Sequence, residues 1–436
     1  MKKTVVIFLL IAVAHLAAAA RGEVWSLDRC VGYAQRRNND IQLSQIAVRK
    51  MSIQKTQSAL ELLPSLHFSA NQYFNWGRSV DMQELVIVRN RLTQQTSGSV
   101  GASFSLFDGF ARINTLLMNR ALVAAAKSDS AETVLEVKAD VARAYLGNVL
   151  ALLTLDRLAE SSENVRRQTA LARAQAASGL RTAGDVLELE AKEADIQAQM
   201  ASARGEAAAQ MLLLRSLIGC EEEFETDTSA IGLFTPQPAA DSGSFARQWR
   251  NLSPKVAAAR SNLEAASRAL KVAKGECLPS VSLQAAYGTY YSDASTAALA
   301  DQLDGNRNPS VAITLAVPLF DGGRGAAAVA KARADYRAGE IKLQQARDAA
   351  ESELLQLEQQ SQLLEQQLQM HLTRIDLCRE RMAVAEAEYR QGQITVSDWI
   401  DAREALCQSE CEYIQCKCKY QFQLIIIDFY IDGCEE

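Results

Sequence analysis

The sequence predicts a mainly α-helical chain with a small β part, written as two tandem copies of one unit. Three observations predict this class. Short landmarks recur in the same order about half a chain apart. Long proline-free stretches read as helix, and two runs in each half alternate with a period of two. The composition agrees. Of 436 residues, 48% are hydrophobic but only 6% aromatic, with 7 prolines, too few turns and rings for a sandwich or propeller. A net charge of −6 argues against a nucleic-acid binder, which would carry a basic stripe. His15, His67 and His371 share no motif, and there is no Gly-rich phosphate loop or nucleophile elbow. The sequence therefore predicts no enzyme, no cofactor and no metal centre built on histidine.

Residues 1–20 read as a signal peptide. Lys2 and Lys3 precede an apolar run, Val5 to Leu16, that is too short to span a bilayer, and Ala18-Ala19-Ala20 supplies the small-residue cleavage site. Cys30 lies too far past that site for lipid attachment. No later stretch reaches the roughly 18 apolar residues of a spanning helix. The longest, Leu424 to Ile431, contains Asp428. An exported chain of this kind enters a membrane only through strands.

The duplication sets the domain organisation. Leu63-Pro64-Ser65 recurs as Leu278-Pro279-Ser280, and Leu106-Phe107-Asp108-Gly109 as Leu319-Phe320-Asp321-Gly322. Gly179-x-x-Thr182-x-x-Asp185 recurs as Gly392-x-x-Thr395-x-x-Asp398. Leu217-Ile218-Gly219 closes the first half as Ile431-Asp432-Gly433 closes the second. Copy one is expected over 21–219 and copy two over 245–436, joined by an acidic linker at 220–244 containing Pro236 and Pro238.

Within each copy the hydrophobic period switches. Val100, Ala102, Phe104 and Leu106 alternate with Ser99, Gly101, Ser103 and Ser105, and Val311, Ile313, Leu315, Val317 and Leu319 with Ser310, Ala312, Thr314 and Ala316. Strands are expected at about 66–76, 97–107, 281–291 and 310–320, with polar loops at Gly77–Thr96 and Ser292–Asn308. The rest reads as helix. Gly109 to Ala177 contains no proline and would extend roughly 100 Å at 1.5 Å per residue. From Ala350 through Leu368, His371 and Ile375 to Tyr389, apolar residues step by three and four, a coiled-coil seam in which His371 is a packed polar residue. Such helices need neighbours along their whole length.

Single-chain membrane barrels start at about eight strands, so four strands per chain demand oligomerisation. Phe107 and Phe320 at one end, and Trp76, Tyr290 and Tyr291 at the other, fall where interfacial aromatic girdles would lie. The alternative is a soluble β layer under a helical stalk. Five of the nine cysteines cluster, at Cys407, Cys411, Cys416, Cys418 and Cys434. Cys407, Cys411 and Cys418 share one helical stripe and read as small buried residues in a helix seam. A soft-metal site such as Cu(I), or disulfide chemistry, is the alternative.

The ordered duplication, the Leu-Pro-Ser before one strand, the Leu-Phe-Asp-Gly between strand and long helix, and the Gly-x-x-Thr turns resemble the TolC-like outer-membrane efflux proteins across nearly the whole mature chain. The resemblance implies a homotrimer in outer-membrane lipid, with a twelve-stranded β-barrel and a periplasmic α-helical barrel of antiparallel coiled coils. It implies a passive exit duct working with a periplasmic adaptor and an inner-membrane pump. A heavy-metal efflux duct, or a structural stalk that transports nothing, are the competing functions. Thr182 with Asp185, and Thr395 with Asp398, fit capping boxes after Gly179 and Gly392. The resemblance further implies that Asp398, Asp401 and Asp185 narrow the pore. It implies that Gly179, Leu180, Thr182, Gly392, Ile394 and Thr395 form the tip that adaptors contact. The chain departs from many relatives in having Asn38-Asn39 and Ser253-Pro254 where Asn-Pro is common, and Ile394 where some carry an arginine.

Overall fold

A computed structural model describes residues 23–80, 87–220, 222–229 and 249–432. The expected signal peptide, most of the expected linker with Pro236 and Pro238, and Gly433 and Cys434 lie outside the described residues. The element order is β1 (Glu23–Trp25), α1 (Leu27–Arg37), α2 (Asn39–Leu60), β2 (Ser65–Val80), β3 (Ile87–Phe107), α3 (Ala111–Ala177) and α4 (Ala183–Ile218). It continues with β4 (Phe224–Thr226), α5 (Pro254–Gly275), β5 (Ser280–Ser292), α6 (Leu299–Gly305), β6 (Asn308–Ala316), α7 (Arg324–Arg390) and α8 (Val396–Asp432). The two long helices, α3 and α7, are 67 residues each, and the helices returning from them are of nearly equal length.

Local chemistry sets the boundaries. Asn38 ends α1 and starts α2: its Oδ1 accepts from the N–H of Asp40 at 2.8 Å and of Ile41 at 3.2 Å, and its Nδ2 donates to the Leu217 carbonyl at 2.8 Å. Asparagine thus does the capping at the first of the two departures noted in the sequence. At the second, Pro254 stands at the first helical position, where its missing N–H costs nothing. Gly219 closes α4 at φ 64°, the left-handed value that suits glycine.

β2, β3, β5 and β6 form one antiparallel sheet in that order. β3 and β5 are interior, while among the described residues β2 and β6 pair on one side only. The first strand pair is longer than its pattern predicts. Pairing runs from Ser65 opposite Ser103 to Val80 opposite Ile87, so much of the expected Gly77–Thr96 loop is strand, with 81–86 outside the described residues. Polar cross-strand contacts such as Thr93 Oγ1 donating to the Asn75 carbonyl at 3.4 Å stand where apolar alternation would have announced a strand. The second loop contains the short helix α6, held by buried Gln302, which accepts from the Ser292 N–H at 2.9 Å and donates to the Ala297 carbonyl at 2.8 Å. β6 stops at Ala316 rather than near Phe320, because Pro318 has no N–H for the ladder.

Two further corrections concern segments expected to be helix or linker. β1 and β4 pair in parallel, Glu23 opposite Phe224 and Trp25 opposite Thr226. Three-residue strands are too short to show a period. Trp25 stacks on Phe224 at 4.5 Å, and Tyr145 donates to the Trp25 carbonyl at 3.1 Å.

Compactness divides the chain differently from the repeat. One unit gathers described residues of Met1–Gln45, Asp129–Pro254 and Arg347–Glu436; the other gathers Ile46–Ser128 and Lys255–Ala346. Each therefore takes segments from both copies. The first unit contains the seam. Ala350, Leu354, Leu368, Ile375, Met382, Ala385 and Tyr389 are buried along α7, and His371 is half-buried with Nδ1 at 4.0 Å from a Glu412 carboxylate oxygen. The second unit contains the four-stranded sheet.

Candidate functional site

Two helix reversals in the first unit carry the residues singled out in the sequence. α3 gives way to α4 across 178–182, and α7 to α8 across 391–395. Gly179 has φ 75° and Gly392 φ 73°. In the first turn the Leu180 N–H donates to the Gln175 carbonyl at 2.9 Å and the Gly179 N–H to Ala176 at 3.0 Å. In the second, Gln393 donates to Glu388 at 2.9 Å and Gly392 to Tyr389 at 3.1 Å. The same Schellman closure is made twice, and it requires a left-handed residue that only glycine adopts without strain.

Each outgoing helix then opens on a capping box. The Asp185 N–H donates to Thr182 Oγ1 at 3.2 Å, and the Thr182 N–H to Asp185 Oδ2 at 3.3 Å. The Asp398 N–H donates to Thr395 Oγ1 at 3.2 Å, while Asp398 Oδ2 accepts from the Thr395 N–H at 3.0 Å and from its hydroxyl at 2.6 Å. These bonds, the hydroxyl's first, hold the Asp398 carboxyl below the ordinary carboxylate value. Asp398 and Asp401 are exposed, and Asp185 is half-buried.

The turns differ in their apolar residue. Leu180 follows its glycine directly and is 78% exposed. Ile394, which the resemblance puts at the adaptor-contacting tip, comes two residues after Gly392 and instead packs on the buried cluster that contains Trp399, Ile400 and Tyr389. The position after Gly392 is the exposed Gln393.

Arg181, not singled out in the sequence, joins the two turns. Its guanidinium lies 3.9 Å over the Tyr389 ring, Nη2 donates to the Tyr389 carbonyl at 3.3 Å, and Nε donates to Gln175 Oε1 at 3.0 Å. Tyr389 is itself buried, 5.9 Å from Trp399 in a tilted ring pair, and burial pushes its hydroxyl up. The sequence held a signal: Arg181 and Ile394 occupy the same place, two after the glycine, yet differ completely in character. Lower down, Lys192 pairs with Glu404 at 2.5 Å, tying α4 to α8.

The edges of the sheet are the other exposed feature. Leu66, Phe68 and Trp76 on β2, and Val311, Ile313 and Leu315 on β6, are exposed large apolar residues. Among the described residues no helix is long and apolar enough to cross a membrane.

Residues 31–220 and 246–428 match the family model described as outer membrane efflux protein. The chain belongs to the outer membrane efflux protein family. By its family, this efflux protein belongs to the cell outer membrane, and the family is one of efflux proteins rather than enzymes. It is 28% identical over 256 residues to protein CyaE of Bordetella pertussis, covering 57% of this chain and 52% of CyaE. It is 27% identical over 215 residues to the fusaric acid resistance protein FusA of Burkholderia cepacia, covering 49% of this chain and 40% of FusA. The matched part thus spans about half the length of these relatives or less. Among solved structures, the efflux protein superposes on CusC with a TM-score of 0.82 at 18% identity, over 93% of this chain and 91% of that one.

Proposed function

We propose that the protein is a homotrimeric, passive exit duct for small molecules or proteins, working with a periplasmic adaptor and an inner-membrane pump. The observation that carries this reading is the open sheet. β6 is exposed at every residue, and among the described residues it pairs only with β5, and β2 only with β3. In lipid each unpaired backbone group costs several kcal/mol, so the sheet must close. Three copies of four strands make a twelve-stranded barrel, well above the smallest known.

The helix turns are the periplasmic end of this duct. Leu180, beside Gly179, offers an exposed apolar side chain that packs into an adaptor groove. Thr182, Gly392 and Thr395 shape the docking surface, and Ile394 supports its turn from beneath. Asp398 and Asp401, three apart at the start of α8, form rings about the threefold axis together with Asp185. Such rings favour cations and hinder anions. The name of FusA supports a small-molecule cargo.

Mass measurement of the detergent-solubilised protein, followed by planar-bilayer recording, tests the reading. A stable monomer removes the barrel, and a trimer without conductance leaves a structural stalk. Asp398→Asn with Asp401→Asn should shift the reversal potential toward zero in a salt gradient. Leu180→Asp should abolish adaptor crosslinking in a trimer that still forms.

A further inference from the structure

A cavity of about 530 Å³ lies between α3, α4 and α8 in the first unit. Among its lining residues are Ser161, Arg403, Cys407 and Cys411. Most other cysteines have a packing or hydrogen-bonding role. Cys30, Cys220 and Cys418 are buried in one core cluster, Cys378 packs on the second, and Cys416 donates to the Leu364 carbonyl at 3.7 Å. Cys407 also packs on that second cluster, but it and Cys411 are set apart by sharing the cavity. They stand one turn apart on one face of α8, both open into the cavity, and the Ser161 side chain lines it with them.

Arg403 continues the same face one turn earlier. Its Nε is buried and has no hydrogen-bond partner among the described residues. A buried, unanswered N–H of a cation is costly unless something negative comes to meet it. Lys192, on the same cavity wall, is already matched to Glu404.

We propose that Cys407 and Cys411 form a two-coordinate site for a soft monovalent metal ion, Cu(I), in this cavity. Thiolate sulfur is the soft ligand that such an ion selects. Among the described residues no group of three or more His, Cys, Asp or Glu side chains is placed to hold a metal, so a closed tetrahedral Zn²⁺ site has no ligand set here. Binding displaces both thiol protons to solvent: Cu⁺ and two S–H give S–Cu–S and two H⁺, with no change of oxidation state. The product carries one negative charge, which the unanswered Arg403 is placed to balance. A divalent ion on the same two sulfurs would be neutral and leave Arg403 unmatched. The inference does not depend on the duct reading, because the site lies within one chain.

The test uses the full chain in detergent, reduced and anaerobic, with Cys277→Ser removing the exposed thiol. Cu(I) is titrated in competition with bathocuproine disulfonate. The expected result is one Cu(I) retained per chain, with two sulfur neighbours by X-ray absorption. Cys407→Ser and Cys411→Ser should each abolish retention, and Cys416→Ser should leave it unchanged. Arg403→Gln should weaken binding roughly 10-fold, as loss of an outer partner does. No retention by the parent, or a spectrum without two sulfurs, overturns the proposal even if a serine variant fails to fold. So does equal retention in the Cys407→Ser and Cys411→Ser variants, or thiol trapping in intact cells that finds the pair already joined as a disulfide.

Discussion

The two strand-to-helix junctions share the same four residues yet stand in opposite surroundings. At Leu106-Phe107-Asp108-Gly109 the backbone is pressed against the second copy. A Cβ on Gly109 would lie 2.2 Å from the Gly275 carbonyl oxygen, and Arg112 Nη1 donates to the Glu61 carbonyl at 2.7 Å. At Leu319-Phe320-Asp321-Gly322 the leading apolar pair is 92% and 90% exposed, and a Cβ on Gly322 would meet nothing within 4 Å. Asp321 turns back on its own loop and accepts from the Gly323 and Gly325 N–H groups at 3.0 and 2.6 Å. The cause is place in the sheet. β3 is interior, so its junction meets α5 of the other copy; β6 is an edge among the described residues, and Leu319, Phe320 and Gly322 at its junction stay open. The comparison teaches that one end of the repeated unit is enclosed by the other copy, while the matching end of the second copy stays open among the described residues.

The largest expected effect breaks the comparison at the glycines. Gly109→Ala must push into backbone and also holds φ 64°, so it should cost more than ~3 kcal/mol. Gly322→Ala carries only the left-handed penalty of about 1–2 kcal/mol. Heat-resistant oligomer recovered from outer membranes should vanish for the first and persist for the second. Equal losses would mean that both junctions are packed alike.

Next in size is the edge strand. Ile313→Lys on the apolar face of β6 should cost about 2–4 kcal/mol if that face meets lipid, against little for Thr314→Lys on the other face. Dissociation temperature in detergent separates them. If the two variants dissociate alike, β6 does not face lipid on the side its sequence pattern indicates.

The helix turns offer a smaller contrast. Arg181→Ala removes a cation–π contact and two hydrogen bonds, together about 2–3 kcal/mol, and should raise amide exchange around Gly179 and Tyr389. Gln393→Ala, at an exposed position of the other turn, should change exchange little. The smallest effect is one of pH. Because the folded Asp398 carboxyl lies below its ordinary value of 3.8, its cap is complete above that pH and is lost as pH falls through the lower folded value. Protection of the first turn of α8, followed from about pH 5 downward, should fall in the parent. Asp398→Asn should show a lower and flatter profile.

Much of this was legible in the residues because it is local. Helix ends are written within four or five residues, so Gly179, Thr182 and Asp185, and their counterparts Gly392, Thr395 and Asp398, announce Schellman closures and capping boxes without knowledge of any neighbour. The long seam through Ala350, Ser361 and Tyr389 is likewise a periodicity along one helix. What escaped sequence reading depends on residues far apart in the chain. Trp25 meets Phe224, Arg181 covers Tyr389, and Gly109 touches Gly275, each pair joined only when helices and strands pack. The polar half of the first hairpin was hidden for a related reason: wet strands have no apolar face to alternate. By itself the sequence determined the order of elements, their reversals and the duplication, since backbone propensity and short-range hydrogen bonds suffice for these. Only the tertiary structure decided which copy's junction is enclosed, which apolar residue of the turns is exposed, and that two thiols and an unanswered arginine share a cavity, because burial is set by what arrives from elsewhere in the chain.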